Sequence, residues 1–110
     1  MDFGIHLPQL GGGASSATLK HFAQELDRLG VHSGWVSDHV CWPASLDSRY
    51  PYTADGSFPA PNDMAWLDPI ATLVFVAACT ENLRLGTTVL ILPYRMPVVT
   101  AKQLATLDVV

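Results

Sequence analysis

The chain alternates short apolar runs with segments whose apolar residues recur every three or four positions. Phe3 to Leu7 is an apolar run closed by Pro8, as expected of a strand buried on both faces. Leu19, Phe22, Ala23, Leu26 and Leu29 follow at helical spacing, with Lys20, Gln24, Asp27 and Arg28 largely on the other side. Ser15 or Ser16 can cap this helix, and Gly30 stands where a helix should stop. Trp35 and Val36 make a second strand. Asp68-Pro69 is a strong helix start, an N-cap acid with proline in the first position, and predicts a helix from Ile70 to about Glu81. Arg84 to Leu92 reads as a third strand ended by Pro93. Pro97 opens a third helix carrying Val98, Ala101, Leu104, Ala105 and Leu107. The order βαβαβα, with no hairpin signal, predicts a parallel sheet with covering helices.

Two stretches fall outside this pattern. Gly11-Gly12-Gly13 lacks the following Lys-Ser/Thr of a phosphate loop and reads as a mobile connection. Residues 40–67 hold Pro43, Pro51, Pro59 and Pro61, few aliphatics, and the aromatics Trp42, Tyr50, Tyr52, Phe58 and Trp66. A loop this long in a compact domain is usually a lid or a disordered segment. So many aromatics favour a lid that packs on something, against a purely structural excursion.

Composition narrows the function classes. With 110 residues, 49% of them hydrophobic, there is material for one domain at most and a sizeable core. The net charge is −4 and the basic residues are scattered singly, so no basic stripe offers itself to nucleic acid. Cys41 and Cys79 match no metal spacing or disulfide framework, which suits a reducing compartment. No signal-like opening and no apolar run long enough to span a bilayer stand in the sequence, so a soluble cytoplasmic protein is expected.

The candidate chemistry collects at Trp35-Val36-Ser37-Asp38-His39, a buried strand that ends on two ionisable side chains. In α/β folds chemistry gathers at the C-terminal ends of strands. His39 can exchange a proton near neutrality, and Asp38 can orient it or accept a hydrogen bond from a ligand. The plainer alternative makes Asp38 a turn cap and His39 a satisfied surface histidine. His6, inside the first strand, reads as a buried, hydrogen-bonded structural residue, with a site residue as the alternative, and His21 and His32 as surface residues. The histidines share no helical face and no cysteine partner, so no metal site is expected.

Four motifs in order carry a resemblance to a known family. Phe3-Gly4-Ile5-His6-Leu7-Pro8 and Trp35-Val36-Ser37-Asp38-His39 look like its first two strands. Leu83-Arg84-Leu85-Gly86-Thr87-Thr88-Val89-Leu90-Ile91-Leu92-Pro93 looks like its third. Arg95-Met96-Pro97 and then Ala101 to Asp108 match the helix after it. Together, from residue 3 to the end, these resemble the bacterial luciferase-like monooxygenases and the related deazaflavin-dependent oxidoreductases.

The resemblance implies the first three βα units of a (β/α)₈ barrel, with residues 1–110 forming part of one such domain and 40–67 its lid-like loop. It implies hydride transfer or oxygenation of a small organic substrate, with the cofactor at the C-terminal mouth. Ser37-Asp38-His39 and Ser48-Arg49-Tyr50-Pro51-Tyr52 lean toward coenzyme F420, with FMN as the alternative. Asp38 and His39 are the implied catalytic pair, and Asp38, His39, Thr88 and Val89 the implied cofactor contacts. Some deazaflavin enzymes place a tryptophan four residues after the site histidine; Trp42 follows His39 by three. The family carries a non-proline cis bond in its third strand, which maps onto Thr88–Val89 in an intact barrel; an isolated fragment is expected to be trans there.

A barrel of this type needs about 250 residues, so the chain reads as the N-terminal part of a longer protein. Alone it is expected to be inactive, with open strand edges that invite other chains and a homo-oligomer as the result. The alternative function is that of a non-catalytic barrel fragment acting only through association with another chain.

Overall fold

The computed structural model describes residues 1–41, 43, 45, 47–61 and 63–110. Three strands and three helices alternate: β1 (Gly4–His6), α1 (Ser16–Arg28), β2 (Ser33–Val36), α2 (Pro69–Ala77), β3 (Arg84–Thr87) and α3 (Pro97–Leu107). All strand pairs are parallel and the sheet order is β1-β2-β3, with β2 in the middle. This is the predicted α/β arrangement of three βα units.

Local chemistry explains the helix starts. Ser15 Oγ accepts the Thr18 N–H at 3.1 Å, and Asp68 Oδ1 accepts the Ala71 N–H at 2.9 Å with Pro69 in the first turn. Gly30 ends α1 in the left-handed region, φ +72°.

The register divides the sheet into two unlike faces. Gly4, His6, Ser33, Trp35, Arg84 and Gly86 alternate with Ile5, Gly34, Val36, Leu85 and Thr87. The second face, continued by Leu7 and Leu83, meets the helices. There Leu7, Val36 and Leu83 close a core with Leu19, Ala23 and Leu26 of α1 and Leu73 and Val76 of α2. On the first face the indole of Trp35 lies across both neighbouring strands. A Cβ at Gly4 would come within 2.3 Å of its Nε1, and one at Gly86 within 2.6 Å of its six-membered ring. Ser33 Oγ accepts the indole N–H at 2.9 Å. The two glycines thus make the slot in which the indole lies.

Several boundaries differ from the sequence reading. β1 is Gly4–His6 and is exposed rather than buried on both faces, because it pairs on one side only. His6 is likewise exposed, not buried. β3 ends at Thr87 instead of Leu92. It pairs with β2 alone, the last rung is Thr88 N–H to Val36 C=O at 2.8 Å, and a 3₁₀ turn follows at Leu92–Tyr94. α2 stops at Ala77 because Asp27, at the end of α1, takes the Glu81 and Asn82 N–H groups at 2.7 and 3.1 Å and turns the chain into β3. The glycine triplet forms a 3₁₀ turn rather than a free connection, tied by Gly11 N–H to Ala65 C=O at 2.8 Å. In α3, Leu107 packs on the core while Val98 stays exposed. Every peptide bond among the described residues is trans, Thr88–Val89 included.

The strand ends are joined by Gln9, a polar side chain with no solvent exposure. Its Nε2 donates to the carbonyls of Ser37 and Leu67 at 2.8 and 3.0 Å, and its Oε1 accepts the Ser37 N–H. Its own C=O accepts from Leu67 N–H at 3.0 Å. One amide therefore fixes the exit of β1, the exit of β2 and the approach to α2. Gln9→Leu keeps the bulk but strands these backbone groups. It should lower the unfolding free energy by about 2–4 kcal/mol, at roughly 1–3 kcal/mol per unsatisfied group, read as a fall in the urea midpoint. An unchanged midpoint would show that the chain around Ser37 finds other partners.

Candidate functional site

The site lies where β2 and β3 end. After Val36 the chain leaves the sheet as Ser37-Asp38-His39, and after Thr87 it leaves as Thr88-Val89. The structure brings these two exits together.

Asp38 is buried, with its side chain 1% exposed. Its Oδ2 accepts from Arg95 Nε at 3.0 Å, Arg95 Nη2 at 2.8 Å and the Ile91 N–H at 2.9 Å. The same Nη2 reaches Asp68 Oδ2 at 3.2 Å, so one guanidinium bridges the end of β2 and the cap of α2. Burial works against the charge on Arg95, but hydrogen bonds to Asp38 and Asp68 outweigh it and raise its pKa above the ordinary arginine value. Asp38 Oδ1 is buried and has no hydrogen-bond partner among the described residues.

His39 is half-buried, its ring tilted by 34° against Trp66 with centroids 5.0 Å apart. Trp66 Nε1 in turn reaches the Ser37 carbonyl at 3.4 Å. A cleft lined by His39, Val40, Trp66, Asp68, Tyr94 and Arg95 opens beside this stack. Trp42 lies outside the described residues, so its place relative to His39 is not part of this geometry.

On the bare sheet face Thr88 is exposed and Val89 is 49% exposed. Thr88 Oγ1 lies 2.9 Å from Ser37 Oγ and donates to the Val36 carbonyl at 3.2 Å. His6 Nε2 lies 3.0 Å from Ser37 Oγ. The predicted site residues therefore fall into two groups, His39 at the cleft with Asp38 buried behind its Arg95 wall, and Thr88 and Val89 beside the open face, with Ser37 between them. The loop aromatics pack on one another: Tyr50 meets Tyr52 and Phe58 edge to face, at 5.4 and 4.8 Å. The Tyr50 N–H to Gly56 C=O bond, 2.7 Å, closes that turn.

Sequence reading missed three parts of this arrangement. Gln9 carried no local signal. Arg95 stood within a recognised motif but had no partner assigned. Ser37 was seen as strand and not as a junction.

A parallel α/β sheet with polar groups converging beyond its strand ends is the layout of an enzyme or ligand-binding domain of the barrel or doubly-wound class. Comparison with known proteins narrows this. The sequence profile of the luciferase-like monooxygenase family matches residues 1–110, and the chain belongs to that family. An uncharacterised protein of Mycobacterium tuberculosis is 31% identical over 108 residues, which is 98% of this chain and 37% of that protein. A second from the same species is 32% identical over 85 residues, 77% of this chain and 30% of the relative. A crystal structure of a monooxygenase from Streptomyces bottropensis superposes with a TM-score of 0.63 at 25% identity, covering 98% of this chain and 29% of that one. The chain thus spans about a third of the length of these proteins, and its three βα units are part of a barrel. No helix among the described residues is long and apolar enough to cross a membrane.

The Asp38–Arg95 pair makes a direct prediction. Arg95→Met leaves a buried carboxylate without its counter-charge and should destabilise by about 3–5 kcal/mol, measured by denaturant unfolding. Asp38→Asn combined with Arg95→Met should recover much of that loss. Equal stability of Arg95→Met and the parent would mean that Asp38 does not depend on the guanidinium.

Proposed function

We propose that the protein is an oxidoreductase that uses a flavin-type cofactor on a small organic substrate, with the cofactor ring over the ends of β2 and β3. Family membership supports the class, and the observation that carries the site is the pair of adjoining strand exits. The residues fit a flavin-type ring. Asp38 Oδ1 is a buried acceptor without a donor among the described residues, suited to a ring N–H. Thr88 and Val89, exposed on the open face, offer a polar and an apolar contact. The cofactor's phosphate finds less here, since the Arg95 guanidinium is already held by Asp38 and Asp68.

Each residue then has a distinct part. Asp38, fixed by Arg95 and Ile91, accepts from the ring and positions the strand exit. His39, stacked on Trp66 at the mouth of the cleft, holds or moves the proton at the reacting carbon's substituent. Thr88 and Val89 support the ring from the sheet side. The bound group supplies hydride acceptance and donation, or oxygen activation when reduced.

Ser37-Asp38-His39 and Ser48 to Tyr52 favour coenzyme F420 over FMN. Fluorescence titration of the intact protein should give the lower Kd for F420; tighter FMN binding reverses the assignment. His39→Ala in that protein should reduce turnover by roughly 10²–10⁴-fold while changing cofactor Kd far less. Parental turnover in the variant removes His39 from the chemistry.

A second reading is favoured by the sheet edges. β1 and β3 each pair on one side only, which suits association with another chain, a second copy included. Sedimentation of the 110-residue chain should show self-association, and a stable monomer at micromolar concentration would count against it.

A further inference from the structure

Trp66 stands near the end of the long loop, two residues before the cap of α2, and its ring is spent outside the apolar core. The core takes its neighbour Leu67 instead. The half-buried indole lies against the imidazole of His39, with ring centroids 5.0 Å apart and the planes at 34°. Its Nε1 reaches the Ser37 carbonyl at 3.4 Å, an acceptor that Gln9 Nε2 already fixes at 2.8 Å. The indole therefore meets the exit of β2 at two points, Ser37 and His39.

The backbone under Trp66 is anchored on both sides. Leu10 and Trp66 form an antiparallel bridge, flanked by Gly11 N–H to Ala65 C=O at 2.8 Å and Leu67 N–H to Gln9 C=O at 3.0 Å. Asp68 then caps α2 and accepts from Arg95 Nη2 at 3.2 Å. The glycine turn after β1 acquires a part in this: Gly11, at φ +59°, presents the N–H that holds Ala65.

A histidine at a strand exit rotates about two side-chain bonds, and the second has a broad energy well. A general acid or base acts only while its nitrogen stays within hydrogen-bond reach of the proton. An aromatic face laid on the imidazole restricts that rotation, and it uses the face of the ring rather than the nitrogens at its edge. We propose that Trp66 is a positioning residue for His39. Anchored on the turn after β1, it fixes the plane of the imidazole, and with it the direction in which a ring nitrogen meets the proton of a substrate in the cleft. The inference rests on the reading that His39 moves that proton. Both rings line the cleft, so Trp66 is also a wall, and kinetics separate the two roles. A wall that binds ground and transition states alike shows in KM, whereas a positioning group shows in kcat.

Two measurements on the intact protein test it. Carbon-13 relaxation should report a rigid His39 ring in the parent and in Trp66→Phe, which keeps an aromatic face, and a mobile one in Trp66→Leu. The anchors of residue 66 are backbone groups and survive both changes. In the turnover assay that reads the loss in His39→Ala, with F420 or FMN bound, Trp66→Leu should lower kcat by roughly 10- to 10²-fold at parental cofactor Kd. Trp66→Phe should recover most of that loss, and Trp66→Leu should cost nothing further in the His39→Ala background. A His39 ring as rigid in Trp66→Leu as in the parent overturns the role of Trp66 and leaves that of His39 standing. So does a loss confined to KM, a Trp66→Phe variant as slow as Trp66→Leu, or the same loss with and without His39. Parental turnover in His39→Ala, or no turnover by the parent with either cofactor, overturns both.

Discussion

Gln9 is the point on which the strand ends hang. A primary amide with no contact to water must find partners within the protein, because leaving its N–H or C=O groups unmet costs about 1–3 kcal/mol each. Here both ends of the amide are used on backbone. Ser37 presents its N–H and its carbonyl to the same side chain, and Leu67 adds a carbonyl from far along the chain. The result is a clamp that sets β1, β2 and the entry to α2 at fixed mutual positions. Ser37 can then sit between Asp38, which turns inward to Arg95, and Thr88, which stays on the open face. Without the clamp the exits of β2 and β3 would still be near each other, but nothing would fix which way each side chain turns.

The two-residue period of the strands does the rest. One set of alternate positions supplies Leu7, Val36 and Leu83 to the core beneath the helices. The other supplies Gly4, then His6, Trp35 and Gly86 in one register row, and beyond them Ser37 and Thr88. Trp35 fits because Gly86, its register partner on β3, and Gly4, two residues before its β1 partner His6, both lack a Cβ. The indole gives the open face an apolar floor, and the hydroxyls of Ser37 and Thr88 stand at its upper edge. The same alternation that builds the core therefore builds the ligand-facing surface, and a one-residue slip would exchange the two.

What the sequence made legible follows from the range of the interactions. Helix starts were readable because a cap joins residues three apart: Ser15 with Thr18, Asp68 with Ala71. The strand and helix order was readable from periodicity, and the four motifs in order led to the family. Strand ends were not readable. β3 stops at Thr87 although Val89, Leu90 and Ile91 remain good strand formers, because β2 offers it no further rung. Nor were the partners of Gln9 and Arg95, which lie 27 to 58 residues away. His6 was read as buried because its neighbours are apolar. Its exposure depends on which face lacks cover, a property of the whole sheet and not of any window in the sequence.

The site separates fixed charge from exchangeable protons, and burial explains the division. Asp38 gives one oxygen to three donors, two of them on a guanidinium, inside a shell where its side chain is 1% exposed. Removing either partner would leave a charge that water cannot reach, so the pair is held in one geometry and serves as frame. That geometry leaves Oδ1 as a buried acceptor with a fixed direction, useful for orienting a ligand. The imidazoles stand instead at the margins: His39 half-buried on Trp66, and His6 exposed beside Ser37 and Thr88. Proton exchange needs a path to ligand or solvent, and a ligand frame needs the opposite. Adjacent positions on one strand exit meet both needs because successive side chains turn to opposite sides: Ser37 faces Thr88 and Asp38 faces the guanidinium.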